Sequence, residues 1–502
     1  MSGWAVPDYV RLHAAGPPGR LACVDLASGR RWTYAELDRS IACCVSVLVE
    51  RRIGAGDRVA VLARNSAWQL ILQQALTRLG AIFAPLNWRL AASELDALLD
   101  DCEPVLLVVD DASAPLADAC AQPCERMTMA GLAAAIDCAE PAPPGEPADA
   151  DVPSILLFTS GTSGRAKGVI VTERNAFFTA TNFSVLGRVD NKSVFLCDSP
   201  MFHVIGLLTS LRPPLMQGGT IYISAGFDPA ATLARLGDPG LGITHYFCVP
   251  QMAQMLRSAP GFDPARLGNL RALFTGGAPN PPENIRLWLG EGVRMADGFG
   301  MTEAGTVLGM PVDGDVIDVK AGSAGLPAPT LSLRIVGEDG AEVPAGEVGE
   351  LQIRGPNVTP GYWRRPAETE AAFTQDGWFR TGDLGRRDSD GFVFLVDRRK
   401  DMFISGGENV YPAEVERVLA EHPAVLEAAV IGVASMEWGE VGSAFLVCRP
   451  GEAPPAEELE VHCRGRLARY KVPRSFRFVE SLPRTASGKV MKQALRSAAD
   501  AD

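Results

Sequence analysis

A run of hydroxyl-bearing residues and glycines could hold an anion. It reads Thr159-Ser160-Gly161-Thr162-Ser163-Gly164-Arg165-Ala166-Lys167-Gly168 and follows a predicted buried strand, residues 154–158. Glycines let the backbone approach an anion, successive N–H groups can form an anion-binding nest, and Lys167 adds a positive charge. The spacing is not that of a Walker A loop, because Gly168 stands where that motif has a hydroxyl. A flexible surface loop is the alternative, but a position directly after a buried strand favours phosphate binding.

A second group, Asp297-Gly298-Phe299-Gly300-Met301-Thr302-Glu303, combines an aromatic ring, a hydroxyl and carboxylates. Phe299 offers a face on which adenine could stack, and Thr302 could donate to a phosphate. Glu303 is a hard oxygen ligand suited to Mg²⁺, which usually binds through one or two carboxylates plus phosphate. Taken alone, the segment could equally be a strand and turn with a solvent-exposed acid.

Three shorter segments carry single charged candidates. Thr381-Gly382-Asp383 offers a carboxylate that could accept both hydroxyls of a ribose, although the same tripeptide is a good turn. Asp397-Arg398-Arg399-Lys400-Asp401 could be a solvated charged turn, and Pro483 to Lys489 a basic turn near the C-terminus. Each segment is weak evidence by itself, and their order along the chain is what gives them meaning.

Taken in order, these segments resemble the motifs of the adenylate-forming superfamily, which includes acyl-CoA synthetases, the adenylation domains of peptide synthetases and luciferases. The resemblance extends from Thr33 to Lys489. It departs from the family pattern at Ala166, where Pro is frequent, and at Phe299, where Tyr is frequent. Neither departure removes a group that the chemistry requires.

The resemblance implies a role for each segment. The 159–167 loop would hold the β- and γ-phosphates of ATP, and Glu303 would bind Mg²⁺. Lys489 would bring the substrate carboxylate and the α-phosphate together, where a cation stabilises charge that is being redistributed. The remaining nucleotide contacts would come from Gly277, Ala278, Asp297, Gly298, Phe299, Thr302, Asp383 and Arg398, and Lys400 would be the pivot of a mobile domain.

Two further stretches indicate the acceptor and the acid. Ser405-Gly406-Gly407 resembles the segment of CoA-forming members that faces the pantetheine arm, with an ordinary glycine-rich turn as the alternative. His203 resembles a histidine that lines the acid pocket, although a lone histidine is more often structural. Ile205 stands near a position where some hydroxycinnamate ligases have Tyr. The apolar lining therefore favours a fatty or plain aromatic acid, without excluding a hydroxycinnamate.

The elements that must position these residues alternate between helix and strand. An amphipathic helix is predicted from Thr33 to about Val49, then a strand over 57–62, a helix over 68–79 and a strand over 81–85, which favours a parallel sheet with crossover helices. With the resemblance, this predicts an α/β protein: a large N-terminal adenylate-forming domain, residues 1–397, with layered sheets and helices, and a small mobile α+β domain, residues 398–502, that carries the catalytic lysine.

Composition limits the remaining possibilities. The 502 residues have a formal net charge of −13, which disfavours nucleic acid as a partner because phosphate backbones require clustered Lys and Arg. The apolar runs are far shorter than the roughly 18 residues of a spanning helix, and no signal peptide is visible. Eleven scattered cysteines indicate reduced thiols in the cytoplasm. The oligomeric state cannot be read from the sequence.

The predicted function is therefore an ATP-dependent carboxylic acid–CoA ligase that forms an acyl-adenylate and then a thioester. One alternative is an adenylating enzyme that loads a carrier protein instead of CoA. The other is a nucleotide-binding protein without catalytic activity, which the presence of Thr302, Glu303, Asp383, Arg398 and Lys489 disfavours.

Overall fold

The protein divides into two compact units. One comprises residues 1–332 and 354–379, and the other residues 333–353 and 380–502. The structure, a computed structural model, describes residues 4–121, 124–146, 148–159, 166–278, 280–398, 401–405, 408–435, 438–449, 451, 453–464, 466–467, 469–484 and 489–499. Chain segment 333–353 joins the second unit because it contributes to a sheet with residues 379–398. The domain boundary predicted between residues 397 and 398 stays a prediction.

Two sheets form the centre of the first unit within the described residues. Their strands are β1 (Leu21–Asp25), β2 (Arg31–Thr33), β3 (Arg58–Leu62), β4 (Ile82–Pro85), β5 (Leu106–Val109), β6 (Arg126–Thr128), β7 (Pro153–Thr159), β8 (Lys167–Thr172), β9 (Val194–Cys197), β10 (Thr220–Ile223), β11 (His245–Cys248), β12 (Ala272–Thr275), β13 (Met295–Met301), β14 (Gly305–Gly309) and β15 (Leu326–Pro327). One sheet has the order β15-β14-β13-β12-β11-β9-β10-β1-β2 and the other β6-β5-β3-β4-β7-β8. Both are parallel in the middle. The first sheet is antiparallel at both edges, through β13–β14–β15 and β1–β2, and the second is antiparallel at the β7–β8 edge.

The helices of the first unit connect these strands. They are α1 (Tyr9–Ala14), α2 (Tyr34–Glu50), α3 (Ala67–Leu79), α4 (Ala92–Cys102), α5 (Ala114–Asp118), α6 (Met129–Cys138), α7 (Glu173–Leu186), α8 (Arg212–Gln217), α9 (Pro229–Leu236), α10 (Pro250–Ser258), α11 (Pro282–Gly290), α12 (Gly314–Val319) and α13 (Pro366–Ala372), with a π-helix at Ile205–Thr209 and a 3₁₀ turn at Pro264–Leu267. Helix α2 begins where the sequence predicts, because Thr33 and Glu36 form a reciprocal capping box. Its apolar face packs with that of α3 in the main core.

The second unit has two sheets and three α-helices among the described residues. Its elements are β16 (Ser332–Val336), β17 (Gly349–Arg354), β18 (Phe379–Arg387), β19 (Val393–Arg398), β20 (Phe403–Ser405), β21 (Glu408–Val410), α14 (Pro412–Ala420), β22 (Val425–Ser435), β23 (Gly439–Cys448), α15 (Ala456–Arg464), β24 (Ser475–Phe478) and α16 (Lys492–Ala499), with a 3₁₀ turn at Arg469–Lys471. Strands β16 to β19 form one sheet in chain order. The other sheet has the order β21-β20-β23-β22, with β24 parallel to β23.

The predicted fold class is confirmed as α/β with a large and a small unit. The helices and strands predicted near residues 33–85 are present, with ends within a few residues of those predicted. No helix of the described part of the chain is long and apolar enough to cross a membrane. All eleven cysteines lie among the described residues, and none forms a disulfide.

Candidate active site

The predicted phosphate loop connects the two strands of the β7–β8 hairpin. Thr159 is the last residue of β7 and Lys167 the first of β8, and the two are partners across the antiparallel ladder. The Thr159 hydroxyl donates to the Lys167 carbonyl at 3.5 Å. Ser160, Gly161, Thr162, Ser163 and Gly164 lie outside the described residues. The structure therefore fixes both ends of the loop and holds Lys167 at one of them.

Thr302 and Glu303 form the turn of the β13–β14 hairpin. Met301 pairs with Gly305 across this turn, and the side chains of Thr302 and Glu303 are half-buried. Gly305 adopts a positive φ of 61°, and a Cβ there would lie 2.3 Å from Thr179 Oγ1. The tight turn therefore requires glycine, and it projects a hydroxyl and a carboxylate from neighbouring positions.

A residue that the sequence analysis did not single out joins these two hairpins. The Tyr362 hydroxyl donates to Glu303 Oε1 at 3.0 Å, and Lys167 Nζ lies 5.2 Å from the centre of the Tyr362 ring. Burial, followed by the nearby charge of Glu303, raises the pKa of the phenol well above its usual range. Tyr362 therefore remains a neutral hydrogen-bond donor between the predicted phosphate lysine and the predicted metal carboxylate.

Asp297 lies deeper on β13, next to β12. The Thr275 hydroxyl donates to Asp297 Oδ1 at 2.7 Å, and Asn280 donates to Thr275 Oγ1 at 3.1 Å. Burial raises the pKa of Asp297 to about 7, and the hydrogen bonds from Thr275 and the Gly298 N–H oppose this shift only in part. The carboxyl group is therefore partly protonated near neutral pH. On the same strand Phe299 is half-buried opposite Leu308.

His203 and Ile205, on the predicted acid side, follow β9, and the predicted nucleotide contacts Gly277 and Ala278 follow β12. Gly277 adopts a φ of 82°, and a Cβ on it would lie 3.7 Å from Ile205 Cδ1 and 3.8 Å from Val249 Cγ1. The structure thus brings Ile205 and Gly277 together and adds Val249, which no motif marks in the sequence. Ala278 is exposed. His203 begins the turn into the π-helix, where its ring packs edge-on against Phe202 at 4.6 Å.

The second unit contains the remaining predicted residues. Asp383 and Arg398 are partners across the β18–β19 ladder, so these two predicted nucleotide contacts are neighbours. Asp383 is buried, and its backbone N–H donates to the Thr381 hydroxyl at 3.0 Å. Ser405 is buried opposite Gly439, while Gly406 and Gly407 lie outside the described residues. Lys489 is exposed, next to a bridge between Arg484 and Val490.

The donor set suits a magnesium ion that is shared with phosphate. No cluster of three or more His, Cys, Asp or Glu side chains among the described residues could enclose a metal by itself. Glu303 supplies one carboxylate and Thr302 a hydroxyl, and Lys167 lies on the other side of Tyr362. Mg²⁺ typically binds through one or two carboxylates together with phosphate oxygens, and this site offers that arrangement when ATP is present.

Comparison with known proteins gives this geometry its context. The profile of the family described as "AMP-binding enzyme" matches residues 10–363, and that of the "AMP-binding enzyme C-terminal domain" matches residues 414–489. The chain belongs to the AMP-binding enzyme family. It is 40% identical over 469 residues to a feruloyl-CoA synthase of Amycolatopsis sp, covering 93% of this chain and 94% of that protein. It is 36% identical to an indoleacetate–CoA ligase of Aromatoleum aromaticum, covering 97% of each chain.

Solved structures of the AMP-binding enzyme family have the same fold. An o-succinylbenzoate coenzyme A synthetase from Bacillus subtilis, in complex with ATP and magnesium ion, superposes with a TM-score of 0.87 at 30% identity, covering 98% of this chain and 100% of that one. The predicted resemblance to adenylate-forming enzymes is thus confirmed. The role of each site residue stays a prediction, and Tyr362 and Val249 are additions that only the folded chain reveals.

Proposed function

We propose that this protein is an AMP-forming ligase that couples an apolar carboxylic acid, an aromatic acid first and a fatty acid second, to coenzyme A. Family membership, and similarity to CoA ligases at 36–40% identity over nearly the full length, support ATP, Mg²⁺, the acid and CoA as its small-molecule partners. The observation that carries the proposal is the joining of the Lys167 hairpin to the Thr302–Glu303 turn through Tyr362, because it gathers phosphate-binding and metal-binding groups in one place.

In the first half-reaction a carboxylate oxygen attacks the α-phosphorus of ATP, the bond to the bridging oxygen breaks, and pyrophosphate leaves. Lys167 and the loop before it bind the β- and γ-phosphates, and Thr302 donates to the α-phosphate. Glu303 would hold Mg²⁺, which would supply positive charge to neutralise the phosphates. Lys489 orients the carboxylate and stabilises the charge that develops, so positioning and electrostatics supply most of the rate.

In the second half-reaction the CoA thiol loses its proton and its sulfur attacks the acyl carbon, so that AMP leaves with its phosphate oxygen. Ser405, Gly406 and Gly407 are the segment we assign to the pantetheine arm. Small residues suit this role because they leave space for a narrow chain. We also propose a cytoplasmic location, which the eleven free thiols support.

The acid class is proposed from the pocket lining. A Cβ on Gly277 would lie 3.7 Å from Ile205 Cδ1 and 3.8 Å from Val249 Cγ1, so these three uncharged residues are neighbours. Two relatives carry the names of aromatic acids, feruloyl and indoleacetate, which supports a flat apolar acid. His203 contributes a ring edge at the entrance of this segment, and we assign it to the lining of the acid pocket.

A panel of aromatic and fatty acids tests the proposal through acid-dependent pyrophosphate release and CoA thioester formation. We expect aromatic acids to give the highest kcat/KM and free CoA to be the acceptor. Lys489→Ala should lower pyrophosphate release at least about 10²-fold while ATP binding is retained. Pyrophosphate release at the wild-type rate in this variant would refute the role of Lys489, and thioester formed only with a phosphopantetheinyl carrier protein would refute the CoA acceptor.

A further inference from the structure

Tyr362 contacts both of the charged groups assigned to the phosphates and their metal. Its hydroxyl donates to Glu303 Oε1, and its ring faces the Lys167 ammonium group. We infer that Tyr362 is a positioning residue that aligns Glu303 for Mg²⁺ through its hydroxyl and Lys167 for the ATP phosphates through its ring. This inference rests on the proposed function, because it takes Glu303 as the metal carboxylate.

The segment that carries Tyr362 is fixed to both hairpins by its backbone. The Thr359 N–H donates to the Glu303 carbonyl at 2.7 Å, and the Trp363 N–H donates to the Gly168 carbonyl at 2.7 Å. Between them, Gly361 adopts a φ of 149°, where a Cβ would lie 2.4 Å from Thr369 Cγ2. Tyr362 therefore lies on a rigid segment. Thr359, before it, is hydrogen-bonded to the β13–β14 hairpin, and Trp363, after it, is hydrogen-bonded to the β7–β8 hairpin.

The backbone of this segment does not need the phenol hydroxyl to keep its place. The Tyr362 N–H donates to Thr369 Oγ1 at 3.0 Å, and the Gly361 carbonyl accepts from the Ile170 N–H at 3.1 Å. Among the described residues, the hydrogen bond of this hydroxyl is the one to Glu303. A group placed in this way acts on the carboxylate and not on the fold.

Hydrogen bonds to a metal-binding carboxylate affect the affinity of the site for the metal. A donor on one oxygen fixes the rotation of the carboxylate, and loss of such a partner typically lowers metal affinity 10- to 100-fold. A cation near an aromatic face gains a smaller attraction, which increases when water is excluded. The hydroxyl and the ring should therefore make separable contributions, one specific to the metal and one to phosphate binding.

The experiment measures ATP binding by calorimetry in the absence of acid, once with Mg²⁺ and once with EDTA. The ratio of the two dissociation constants reports how much the metal assists binding. We expect Tyr362→Phe to lower this assistance about 10-fold and to leave the metal-free affinity unchanged. Tyr362→Leu should lower the metal assistance equally and should also weaken metal-free binding, because Lys167 loses the ring.

Two further variants separate the possible explanations. Glu303→Gln should remove most of the metal assistance, and Trp363→Phe, a conservative change at the adjacent residue, should leave it as in the wild type. If Glu303→Gln leaves the ratio unchanged, the metal role of Glu303 is wrong and the inference falls with it. If Glu303→Gln lowers the ratio but Tyr362→Phe does not, only the inference is overturned. Equal losses in Tyr362→Phe and Trp363→Phe would also overturn it, because packing of the segment would then be the cause.

Discussion

The predicted site of the first unit has a phosphate side, at the β7–β8 hairpin, and an acid side, at the residues that follow β9 and β12. The two sides are supported by different kinds of interior. Behind the β7–β8 hairpin, the Ser154 hydroxyl donates to Glu173 Oε1 at 2.6 Å, and both terminal nitrogens of Arg212 donate to the same carboxylate at 2.8 and 2.9 Å. Burial acts to raise the pKa of Glu173, but Arg212 and the hydroxyls outweigh it and hold that pKa below its usual range. A buried, hydrogen-bonded ion pair thus ties the strand of the phosphate side to α7 and α8.

Behind the acid side the interior is a stack of rings on β9, β11 and β12. The His245 ring lies parallel to Phe195 at 4.5 Å and to Phe274 at 5.6 Å, and Phe183 meets Phe274 edge-on at 5.0 Å. Burial lowers the pKa of His245 to about 4, so this histidine is a neutral aromatic at physiological pH. The ring stack spreads its stabilisation over many weak contacts.

This difference shows which parts of the site can vary. A few directional hydrogen bonds to Glu173 hold the phosphate side, so a single substitution there leaves a buried charge without its partner. The acid side depends on shape, where exchange of one apolar group for another costs less. Such a division suits a family whose members are named for different acids, such as feruloyl-CoA synthase and indoleacetate–CoA ligase.

The largest effect should come from breaking the buried ion pair. We expect Arg212→Met to lower the free energy of unfolding by about 3–5 kcal/mol, because Glu173 would remain charged and buried. The change is measured by urea denaturation. Arg286→Met, at the exposed pair with Asp318, should cost less than about 1 kcal/mol. If both variants lost similar amounts of unfolding free energy, the buried ion pair would not be the special support of the phosphate side.

Glu303→Gln should have the next largest effect, on activity and not on stability. The amide keeps the size of the side chain but not its charge, so we expect kcat/KM for MgATP to fall about 10²–10³-fold, which corresponds to roughly 3–4 kcal/mol. Steady-state pyrophosphate release at varied MgATP measures this change. Glu50→Gln, at an exposed residue that ends α2, is the matched control. A fall in both variants would point away from the metal role.

The sequence predicts the phosphate side better than the acid side. Thr159, Lys167, Thr302 and Glu303 stand in short motifs whose residue types are set by a shared chemistry. Tyr362 could not be found this way, because 59 residues separate it from Glu303 and only folding brings them together. In the sequence, only Gly361 before Tyr362 and Trp363 after it set this position apart from its surroundings. The pairing of segment 333–353 with β18 is equally non-local, so no linker composition marks it.

Asp297 is an ionisable group on the acid side, the less polar of the two sides. The pH dependence that it gives to the free energy of unfolding therefore tests the comparison between the two sides. Its pKa of about 7 exceeds the usual value, so the folded state holds the proton more tightly than the unfolded chain. The resulting stabilisation is complete below about pH 4 and is lost as the pH rises through 7. We expect wild type to lose about 2 kcal/mol relative to Asp297→Asn between pH 5.5 and 8.5. Urea denaturation at both pH values measures this difference, and parallel curves would contradict it.

The smallest effect should come from reshaping the acid side at Ile205, whose Cδ1 would lie 3.7 Å from a Cβ on Gly277. Because a hydrophobic pocket discriminates by only about 1–3 kcal/mol per methylene, Ile205→Ala should shift the ratio of kcat/KM values toward the bulkier of two acids about 10-fold, and Ile205→Phe should shift it the opposite way. The KM for MgATP should not change in either variant. Val204→Ala, at a neighbour that packs against the main core, is the control. If Ile205→Ala lowers activity equally for all acids and raises the KM for MgATP, the two sides are not separable, and the acid pocket cannot vary independently of the phosphate site.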